Sequence, residues 1–468
     1  MMMPLKTNGI FTIALIVHLV YSCSGFSQQL SSYSLEYLPQ RSYMNPSFIP
    51  IGKFNIGIPL VSGFSYNYTN NGFRYNDLIK KKANDSLYMD ATNAINGMNS
   101  KNSLRLEFEA ELLSIGIKKG KSYFSINATE KVNTAFNYSK ALIEFLYYGN
   151  AATLGKTQIL NPGIEGVHYR EYGVNWAREV NRKLKTGIKL KYLYGMENIY
   201  TKGSGVAIYT DPNDFSITAN SDLTVFTSGI DSTSFGSTGF GTYAFGKSNT
   251  GFALDLGITY KPVQQIEIAI SAIDWGSIKW NSNVSTYSTS TKEGAFTYYG
   301  INLNEFVNND STSAEAYLSN LVDSLYSSFD VTTTHESYKY KLPFQLFVST
   351  SYLITPRYRI NIVVHNKKFK SGNQTDYQFS FTGKSKTWFN YTIGLNRINK
   401  TPTTLGAGFT LNFKNDQVYF VSDNVPGLLN WKKSYNTGFR AGINIMFGTR
   451  PKYMKPPQPL LEVPVSII

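Results

Sequence analysis

The chain has 468 residues, of which 16% are charged and 15% are Phe, Trp or Tyr. So many aromatic residues exclude a disordered chain, and so few charges exclude a coiled coil. The net charge is +14, but the basic residues are spread along the chain, which favours contact with anionic lipid or polysaccharide and argues against a nucleic-acid-binding surface. Because Cys23 is the only cysteine, no internal disulfide or cysteine-ligated zinc site can form.

Residues 1–27 have the pattern of a secretory signal peptide. Lys6 precedes an apolar run from Ile10 to Tyr21, and small residues follow up to Ser27. The run is too short to span a bilayer, so we expect cleavage after Ser27. An alternative makes Cys23 a lipid-modified N-terminus, although the bulky Tyr21 before that cut fits it poorly.

Apolar and polar residues alternate with a period of two along most of the remaining chain, which predicts strands with one apolar and one polar face. Shorter and weaker alternating segments lie between the clear ones, and together they predict about 14 strands, within a range of about 12 to 16. The clearest runs are residues 104–112, 185–194, 252–260, 357–365 and 439–448.

The strands are expected to close into a membrane barrel. Beyond residue 27 no apolar stretch is long enough for a membrane helix, so an exported chain of this kind crosses a membrane only as a closed barrel. Aromatic residues such as Tyr192, Phe252 and Tyr358 end the apolar faces, as in the aromatic girdles of outer-membrane proteins. We therefore predict an all-β fold, a closed antiparallel transmembrane β-barrel over residues 54–448 in the bacterial outer membrane. A secreted β-sandwich or adhesin is the alternative.

Several segments depart from the strand pattern. Residues 139–148 and 302–329 read as short helices, and residues 76–98 are a candidate for a third. Residues 228–249 and 281–292 are rich in small polar residues and are predicted to be long exposed loops. Residues 449–468 carry five prolines and form a predicted extended tail. Residues 28–53, before the first strand, are expected to fold into the barrel as a plug-like hatch.

If the apolar faces contact lipid, the charged faces line the lumen, because an unpaired charge on the lipid side costs roughly 2–4 kcal/mol at mid-depth. These side chains either form a paired network that fills the lumen and rigidifies the wall, or they line an aqueous path. The predicted lumen residues are Arg105, Glu107, Glu109, Glu111, Lys185, Lys189, Lys191, Arg357, Arg359 and His365.

No motif in the sequence indicates catalysis, a cofactor or a metal ion. His168, His335 and His365 have no second ligand at metal-site spacing, and no nucleophile elbow occurs. Asp274, beside Trp275, reads as a turn carboxylate at a strand end and not as an acid catalyst. We expect a protein that is not an enzyme.

The last strand resembles the C-terminal sorting signal that the barrel-insertion machinery recognises. The segment from Arg440 to Phe447 has a polar residue, a glycine two positions later, and hydrophobic residues spaced by two that end in an aromatic residue. The resemblance rests on Arg440, Gly442, Ile445 and Phe447. It departs from the common form because the chain continues past Phe447.

The chain also resembles an uncharacterised outer-membrane barrel family of Bacteroidota-type bacteria, a domain of unknown function. More distantly, such barrels are similar to the long-chain fatty-acid transporter type and to barrels that assist surface-protein secretion. The resemblance implies fold and location, and it assigns no reaction. It rests on the segments 43–48, 57–59, 251–257, 260–262, 273–276 and 278–280.

Two functions follow from these features. The first is a gated conduit or transporter for a small or amphiphilic molecule. The second is an accessory or scaffold barrel that docks a protein partner in secretion, motility or surface attachment. Expected partners are outer-membrane lipid and lipopolysaccharide, the barrel-insertion machinery and, for the second function, a protein of a secretion or surface complex.

Overall fold

The computed structural model of the chain describes residues 30–230, 248–289, 296–298, 329, 331–370, 372–385, 388–413 and 415–448. The predicted signal peptide, the predicted helix over 302–329, except for residue 329, and the proline-rich tail lie outside these ranges. Within them, no helix is both long and apolar enough to cross a membrane.

The described residues form a closed antiparallel barrel whose wall has 14 strand positions, as the alternation predicts. Positions 1 to 5 are built by β1 and β2 together, then β5, β6, β7 with β8, and β9. Their bounds are β1 Phe54–Gly57, β2 Phe64–Asn70, β5 Lys101–Lys119, β6 Ser122–Ser139, β7 Thr157–Ile159, β8 Gly163–Glu179 and β9 Leu184–Thr210.

At positions 6 to 8, two or more strands together form each wall position. This happens because β9 is long and extends beyond the lower wall, where shorter strands continue the sheet. β10 pairs with the upper half of β9, and β11 pairs with its lower half. At positions 7 and 8, β12 to β17 likewise form upper and lower parts of the wall, with β12 paired to β17 in the lower part. The bounds are β10 Ile217–Ser228, β11 Thr250–Tyr260, β12 Ile266–Trp280, β13 Val284–Ser288, β14 Phe296–Tyr298, β15 Thr332–Thr334, β16 Tyr338–Lys341 and β17 Phe344–Thr355. The expectation of an exposed loop over 281–292 is therefore wrong in part, since β13 pairs with β10.

Positions 9 to 14 are single uninterrupted strands, and β23 closes the barrel by pairing with both β1 and β2. The bounds are β18 Tyr358–Phe369, β19 Gly372–Ser385, β20 Phe389–Arg397, β21 Thr404–Asn412, β22 Asp416–Ser422 and β23 Asn436–Phe447. Closure leaves the wall without a free edge, which is what a membrane barrel requires.

One end of the barrel carries tight turns and the other carries longer connections. Gly120, with φ of 60°, makes the turn between β5 and β6, and similarly short turns join β11 to β12 and β17 to β18. The chain enters β1 and leaves β23 at this same end. Since short turns are periplasmic in outer-membrane barrels, the long connections face outward from the cell.

The outer surface of the wall is apolar up to a defined height. On β18, Tyr358 and Ile362 are exposed on the outer face, and the residues of that face become polar at Asn366 and Lys368. Seven or so residues extend about 23 Å along the strand, which a tilt of about 40° converts to an apolar height of about 18 Å. The exposed apolar residues therefore mark the lipid-facing belt of an outer-membrane barrel.

The first wall position is broken between β1 and β2. In this break Leu60 has a φ of 64° and is 61% exposed, and Val61 also points outward. The neighbouring strand β5 shifts register between Glu111 and Leu113 at the same place. A side chain at Gly442 would lie 2.2 Å from the carbonyl oxygen of Ser62, so this glycine allows the break to pack against β23.

Short helices lie outside the wall strands and at the start of the described chain. Residues 30–34 and 39–43 are inside the barrel, and the others belong to the long connections with the small hairpin of β3 (Ile79–Lys81) and β4 (Leu87–Met89). The helix over 140–148 confirms the one expected at 139–148. The helices are α1 Leu30–Ser34, α2 Tyr75–Leu78, α3 Thr92–Gly97, α4 Lys140–Tyr148 and α5 Val425–Leu429, with 3-10 turns at Pro39–Tyr43, Ala151–Thr153 and Trp431–Lys433.

Replacing Phe447 by alanine should lower the amount of barrel in the outer membrane, because its ring packs 6.1 Å from that of Phe54 where the last strand closes on the first. Deleting residues 449–468 should leave that amount nearly unchanged. Membrane fractionation followed by gel migration of unheated and boiled samples measures both. The opposite ranking of the two variants would contradict the assignment of the sorting signal to β23.

Candidate functional site

The N-terminal segment, residues 30–53, lies inside the barrel and extends from the end with the tight turns to Asp423, just past the other end of β22. Leu30, Leu35 and Leu38 are 2% exposed or less. They pack in two clusters with inward-facing wall residues, among them Phe347 and Tyr419. Burying a leucine contributes roughly 1.5–3 kcal/mol.

Polar contacts join this segment to strands around the circumference. Its backbone N–H groups at Leu30 and Ser31 donate to the Asp423 carboxylate, at 3.1 and 2.7 Å. Further contacts include Tyr33 with Ser349 (3.0 Å), Ser34 with Ser380 (3.1 Å), Gln40 with Asn444 (2.7 Å), Met44 with Ser271 (2.6 Å) and Ser47 with Thr259 (2.6 Å). These partners lie on β11, β12, β17, β19 and β23, so the segment touches most sides of the lumen.

Glu36 anchors the segment by charge. Its carboxylate pairs with Arg359 on β18 and Lys384 on β19. Arg41 in the same segment donates from Nε to the Tyr33 carbonyl at 2.7 Å and lies over the Phe48 ring. The segment thus has a folded conformation of its own, fixed to the wall by ion pairs.

A cluster of six charged side chains lies at mid-height in the lumen, and we call it the central ion cluster. Its three lysines, Lys131, Lys189 and Lys191, come from β6 and β9, and its three carboxylates, Glu171, Asp255 and Asp274, come from β8, β11 and β12. The side chains of Lys189, Lys191, Glu171 and Asp255 are 2% exposed or less.

Lys191 and Lys131 each contact more than one carboxylate of the central ion cluster, and Lys189 contacts Glu171. Lys191 Nζ is 2.6 Å from Asp274, 2.7 Å from Asp255 and 3.3 Å from Glu171. Glu171 also accepts from Lys189 at 2.5 Å and pairs with Lys131 at 2.8 Å. Three positive and three negative groups balance, which is the condition for holding charges in a low-dielectric interior.

Further ion pairs continue this network toward β5. Lys367 pairs with Glu107, and Arg440 pairs with Glu109. His365 Nδ1 lies 3.0 Å from Asp376. Arg105, 4% exposed, stacks 3.7 Å over the Phe369 ring, and among the described residues its Nε and Nη1 have no hydrogen-bond partner.

The N-terminal segment meets the charged network at Glu111. The Tyr43 hydroxyl donates to Glu111 at 2.6 Å, and Lys189 Nζ lies 4.7 Å from the centre of the Tyr43 ring. A cavity of about 20 Å³ lies here, between Tyr43, Glu111, Glu171 and Arg440. That volume holds about one water molecule, so the lumen at this level is filled by side chains.

Above the ions, toward the long connections, the lumen is packed with aromatic residues. Trp280 and Tyr340 are fully buried, and the Tyr200 ring stacks 4.6 Å from that of Phe226. Lys370, in the turn after β18, lies 3.4 Å over Tyr200, and burial lowers the pKa of its ammonium to about 8. Three layers therefore fill the interior: the N-terminal segment, the ions and the aromatic side chains.

The structure places most of the sequence-predicted lumen residues among the inward-facing charges described above. Glu107, Glu109, Glu111, Lys189 and Lys191 belong to the network, and Arg105, Arg359 and His365 also point inward.

Two predicted lumen residues lie at the barrel end instead. Lys185 is at the rim, 3.5 Å from Glu179, with 30% of its side chain exposed. Arg357 is exposed in the turn between β17 and β18, because the alternation it was assigned to begins only at Tyr358. It does not face the lumen.

Sequence reasoning missed four of the six residues of the central ion cluster. Asp255 stands on the polar face of a clear alternating run and could have been included by the same rule as Lys189. Lys131 and Glu171 lie in weaker runs whose faces were not assigned. Asp274 was assigned to a turn, whereas it is 4% exposed inside β12 with φ of 61°, where β11 and β12 shift register.

The residues of the sorting-signal resemblance occupy different faces of β23. Ile445 pairs with Ile56 of β1, and Phe447 pairs with Phe54. Arg440 is 4% exposed and points inward to Glu109. Among the described residues, no three histidine, cysteine or carboxylate side chains are placed to share a metal ion.

Replacing Lys191 by glutamine should destabilise the barrel by about 3–5 kcal/mol, because Asp255 and Asp274 would keep their buried charges without this partner. The matched change Lys185→Gln, at the rim, should cost about 0–1 kcal/mol. Denaturant unfolding in detergent, followed by tryptophan fluorescence, measures the difference. Equal stability of the two variants would contradict the electrostatic account of the central ion cluster.

Solved structures with similar overall folds include three bacterial proteins. The toluene transporter TodX of Pseudomonas putida is 9% identical, with a TM-score of 0.39, 90% of this chain and 95% of that chain covered. The toluene transporter TbuX of Ralstonia pickettii is 10% identical, with a TM-score of 0.39, 91% of this chain and 100% of that chain covered. A FadL homologue from Pseudomonas aeruginosa is 9% identical, with a TM-score of 0.42 and coverage of 91% and 100%.

At TM-scores below 0.5, these likenesses carry no argument about what this chain binds. A comparison with curated proteins gives no match. The model of a family of unknown function, DUF5723, matches residues 46–423, which include the wall from β1 to the end of β22. This outer-membrane barrel belongs to that family, DUF5723.

Proposed function

We propose that the mature chain, beginning at Gln28, is a non-enzymatic conduit of the outer membrane for a small or amphiphilic molecule, gated by the N-terminal segment. The observation that carries this proposal is the position of residues 30–53, which lie in the lumen from its periplasmic end upward, in contact with strands on most of its sides. A molecule could pass this level only after the segment moves.

The polar contacts between segment and wall are of a kind that water can replace, whereas Leu30, Leu35 and Leu38 hold the segment by apolar packing. Hydroxyl and amide hydrogen bonds such as Ser34 with Ser380 and Ser47 with Thr259 contribute about 0.5–1.5 kcal/mol each to stability. The net value is small because the same groups form similar hydrogen bonds with water when the contact is broken. The wall behind the segment is also polar, with Gln378, Ser380 and Asn396 almost fully buried. Displacing the segment would therefore open a hydrophilic path and not a dry, apolar hole.

The ionic and aromatic layers would form the rest of the path. Oppositely charged groups across a narrow lumen attract one another and keep it closed at rest. The aromatic layer with Lys370 suits a molecule with an apolar part and a polar or anionic end. We therefore favour amphiphilic molecules over sugars or metal complexes.

A docking scaffold is the second candidate, and one observation favours it. The hairpin of β3 and β4 exposes Leu87 at 65% and Met89 at 63% of their surface, next to Lys80 and Lys81. Exposed apolar side chains in one hairpin mark a contact surface for a protein partner. If the protein is a docking scaffold, its lumen would stay filled permanently.

Conductance across planar bilayers tests the conduit. The wild type should show little steady conductance, and Glu36→Gln, which removes the charge that Arg359 and Lys384 bind, should raise it. Deleting residues 28–53 should raise it further. Glu179→Gln is the matched control, because Glu179 pairs with Lys185 in the wall and not with the segment.

Gel migration of unheated samples verifies that each variant is a closed barrel. Large wild-type conductance would contradict a resting closed state. A correctly folded deletion variant with no conductance would overturn the conduit and leave the docking scaffold as the function.

A further inference from the structure

The tight turns over residues 118–121, 178–185 and 261–267 are rich in positive charge, as is the residue that precedes β1. We call these basic residues the basic rim. Only two carboxylates, Glu179 and Glu267, belong to the same turns. A surface with such an excess of one sign attracts the opposite sign. The basic rim consists of Lys53, Lys118, Lys119, Lys121, Arg178, Arg182, Lys183, Lys185 and Lys261.

Backbone hydrogen bonds between neighbouring turns make the basic rim one continuous arc along the periplasmic end of the wall. The arc runs from the entry to β1 as far as the turn between β11 and β12. Three N–H groups donate to carbonyl oxygens across the gaps between turns: Lys118 to Lys53 (2.7 Å), Glu179 to Lys121 (2.8 Å) and Lys261 to Lys183 (2.7 Å).

Most of the positive charge in the basic rim has no partner of opposite sign. Lys185 Nζ is 3.5 Å from Glu179, and Lys261 Nζ is 2.9 Å from Glu267. Within the part of the chain that the structure describes, the other members form no ion pair with a carboxylate. All of these others are exposed except Lys118, which is half-buried. The basic rim therefore has free donors for an anion.

The outer face of the wall places these donors at the level of lipid headgroups. Phe124 and Trp176 point outward, and their rings stack with centres 6.5 Å apart. Such aromatic side chains mark the boundary between hydrocarbon and headgroups in membrane barrels. Arg178 follows Trp176 by two positions on the same face of β8, and Lys119 follows the outward-facing Ile117 on β5. Their long side chains can therefore reach headgroup phosphates while their stems lie against the apolar belt.

Two of the free cations flank a small polar residue. Ser122 of β6 pairs with Lys119 on one side and with Arg178 on the other. Residues paired directly across strands point to the same face of the sheet, so an ammonium, a hydroxyl and a guanidinium stand in one row. All three groups donate hydrogen bonds to phosphate oxygens.

We infer that the basic rim binds anionic phospholipid of the periplasmic leaflet, with a headgroup phosphate over Ser122 between Lys119 and Arg178 and an acyl chain along Phe124 and Trp176. An ethanolamine headgroup carries an ammonium that the basic rim repels, whereas a glycerol headgroup does not. An acidic protein would have to displace headgroups at this level, so lipid is the favoured partner. The site is independent of the proposed conduit, because Lys119 and Arg178 lie on the outer face of the wall.

Native mass spectrometry of the full-length protein in a non-ionic detergent, titrated with phosphatidylglycerol, tests this site. The wild type should bind phosphatidylglycerol at least tenfold more tightly than phosphatidylethanolamine with the same acyl chains, and added salt should reduce this preference by screening the charges. A quadruple variant should lose the preference, whereas Arg178→Lys with Arg182→Lys, which keeps the charge, should retain it. The quadruple variant carries Lys119→Gln, Arg178→Gln, Arg182→Gln and Lys183→Gln.

The matched control removes the same amount of charge from exposed lysines at the outward end of the barrel, and it should bind as the wild type does. Its substitutions are Lys156→Gln, Lys339→Gln, Lys432→Gln and Lys433→Gln. Gel migration before heating verifies that each variant is a closed barrel. Should the quadruple variant fail to fold, Lys119→Gln with Arg178→Gln alone should lower the preference at least threefold.

Three results would overturn the inference. Equal affinity of the wild type for the two lipids would exclude recognition of an anionic headgroup. Equal loss of binding in the quadruple variant and the outward-end control would show attraction by overall charge and not by the basic rim. Tighter binding of polyglutamate than of phosphatidylglycerol would assign the basic rim to an acidic protein instead.

Discussion

Charge balance in a space with almost no water is the constraint on which the interior of this barrel depends. Lys191 is held by three carboxylates that arrive from β8, β11 and β12, and Glu171 in turn binds three lysines. A buried ion without its partner is unfavourable by several kcal/mol. Each of these strands can therefore pair with its neighbours in only one register. The register then determines which side chains face the N-terminal segment below and the aromatic layer above.

The same constraint explains why the middle of the lumen is filled by charged side chains, between the apolar clusters of the N-terminal segment and the aromatic layer. Ion pairs and hydroxyl contacts can exchange with water when the space opens, which buried apolar side chains do not do. Glu111 joins the segment to this network through Tyr43, and Glu36 fixes the segment to the wall through Arg359 and Lys384. In the proposed conduit, gating by the segment and charge pairing in the wall would be parts of one arrangement.

The closed barrel could be predicted from the sequence because alternation with period two is a local signal. Residues 252–260 and 439–447 show it without interruption, and both form strands with the expected faces. The signal fails where a strand shifts register, as beside Asp274, because one extra residue transfers every later side chain to the opposite face. Partners far apart in sequence, such as Arg440 and Glu109, which lie on either side of Ser65 of β2, depend on closure and cannot be read from either strand alone.

The central claim is that residues 30–53 must move for the lumen to conduct, and a disulfide between segment and wall tests it most directly. Ser34 and Ser380 have hydroxyls 3.1 Å apart, and Cys23, the only native cysteine, lies in the predicted signal peptide. In the Glu36→Gln background, Ser34→Cys with Ser380→Cys should conduct when reduced and close when oxidised. A control pair within the wall, Thr382→Cys with Thr392→Cys, should conduct in both states. Conductance that persists after verified oxidation of the first pair would contradict gating by the segment.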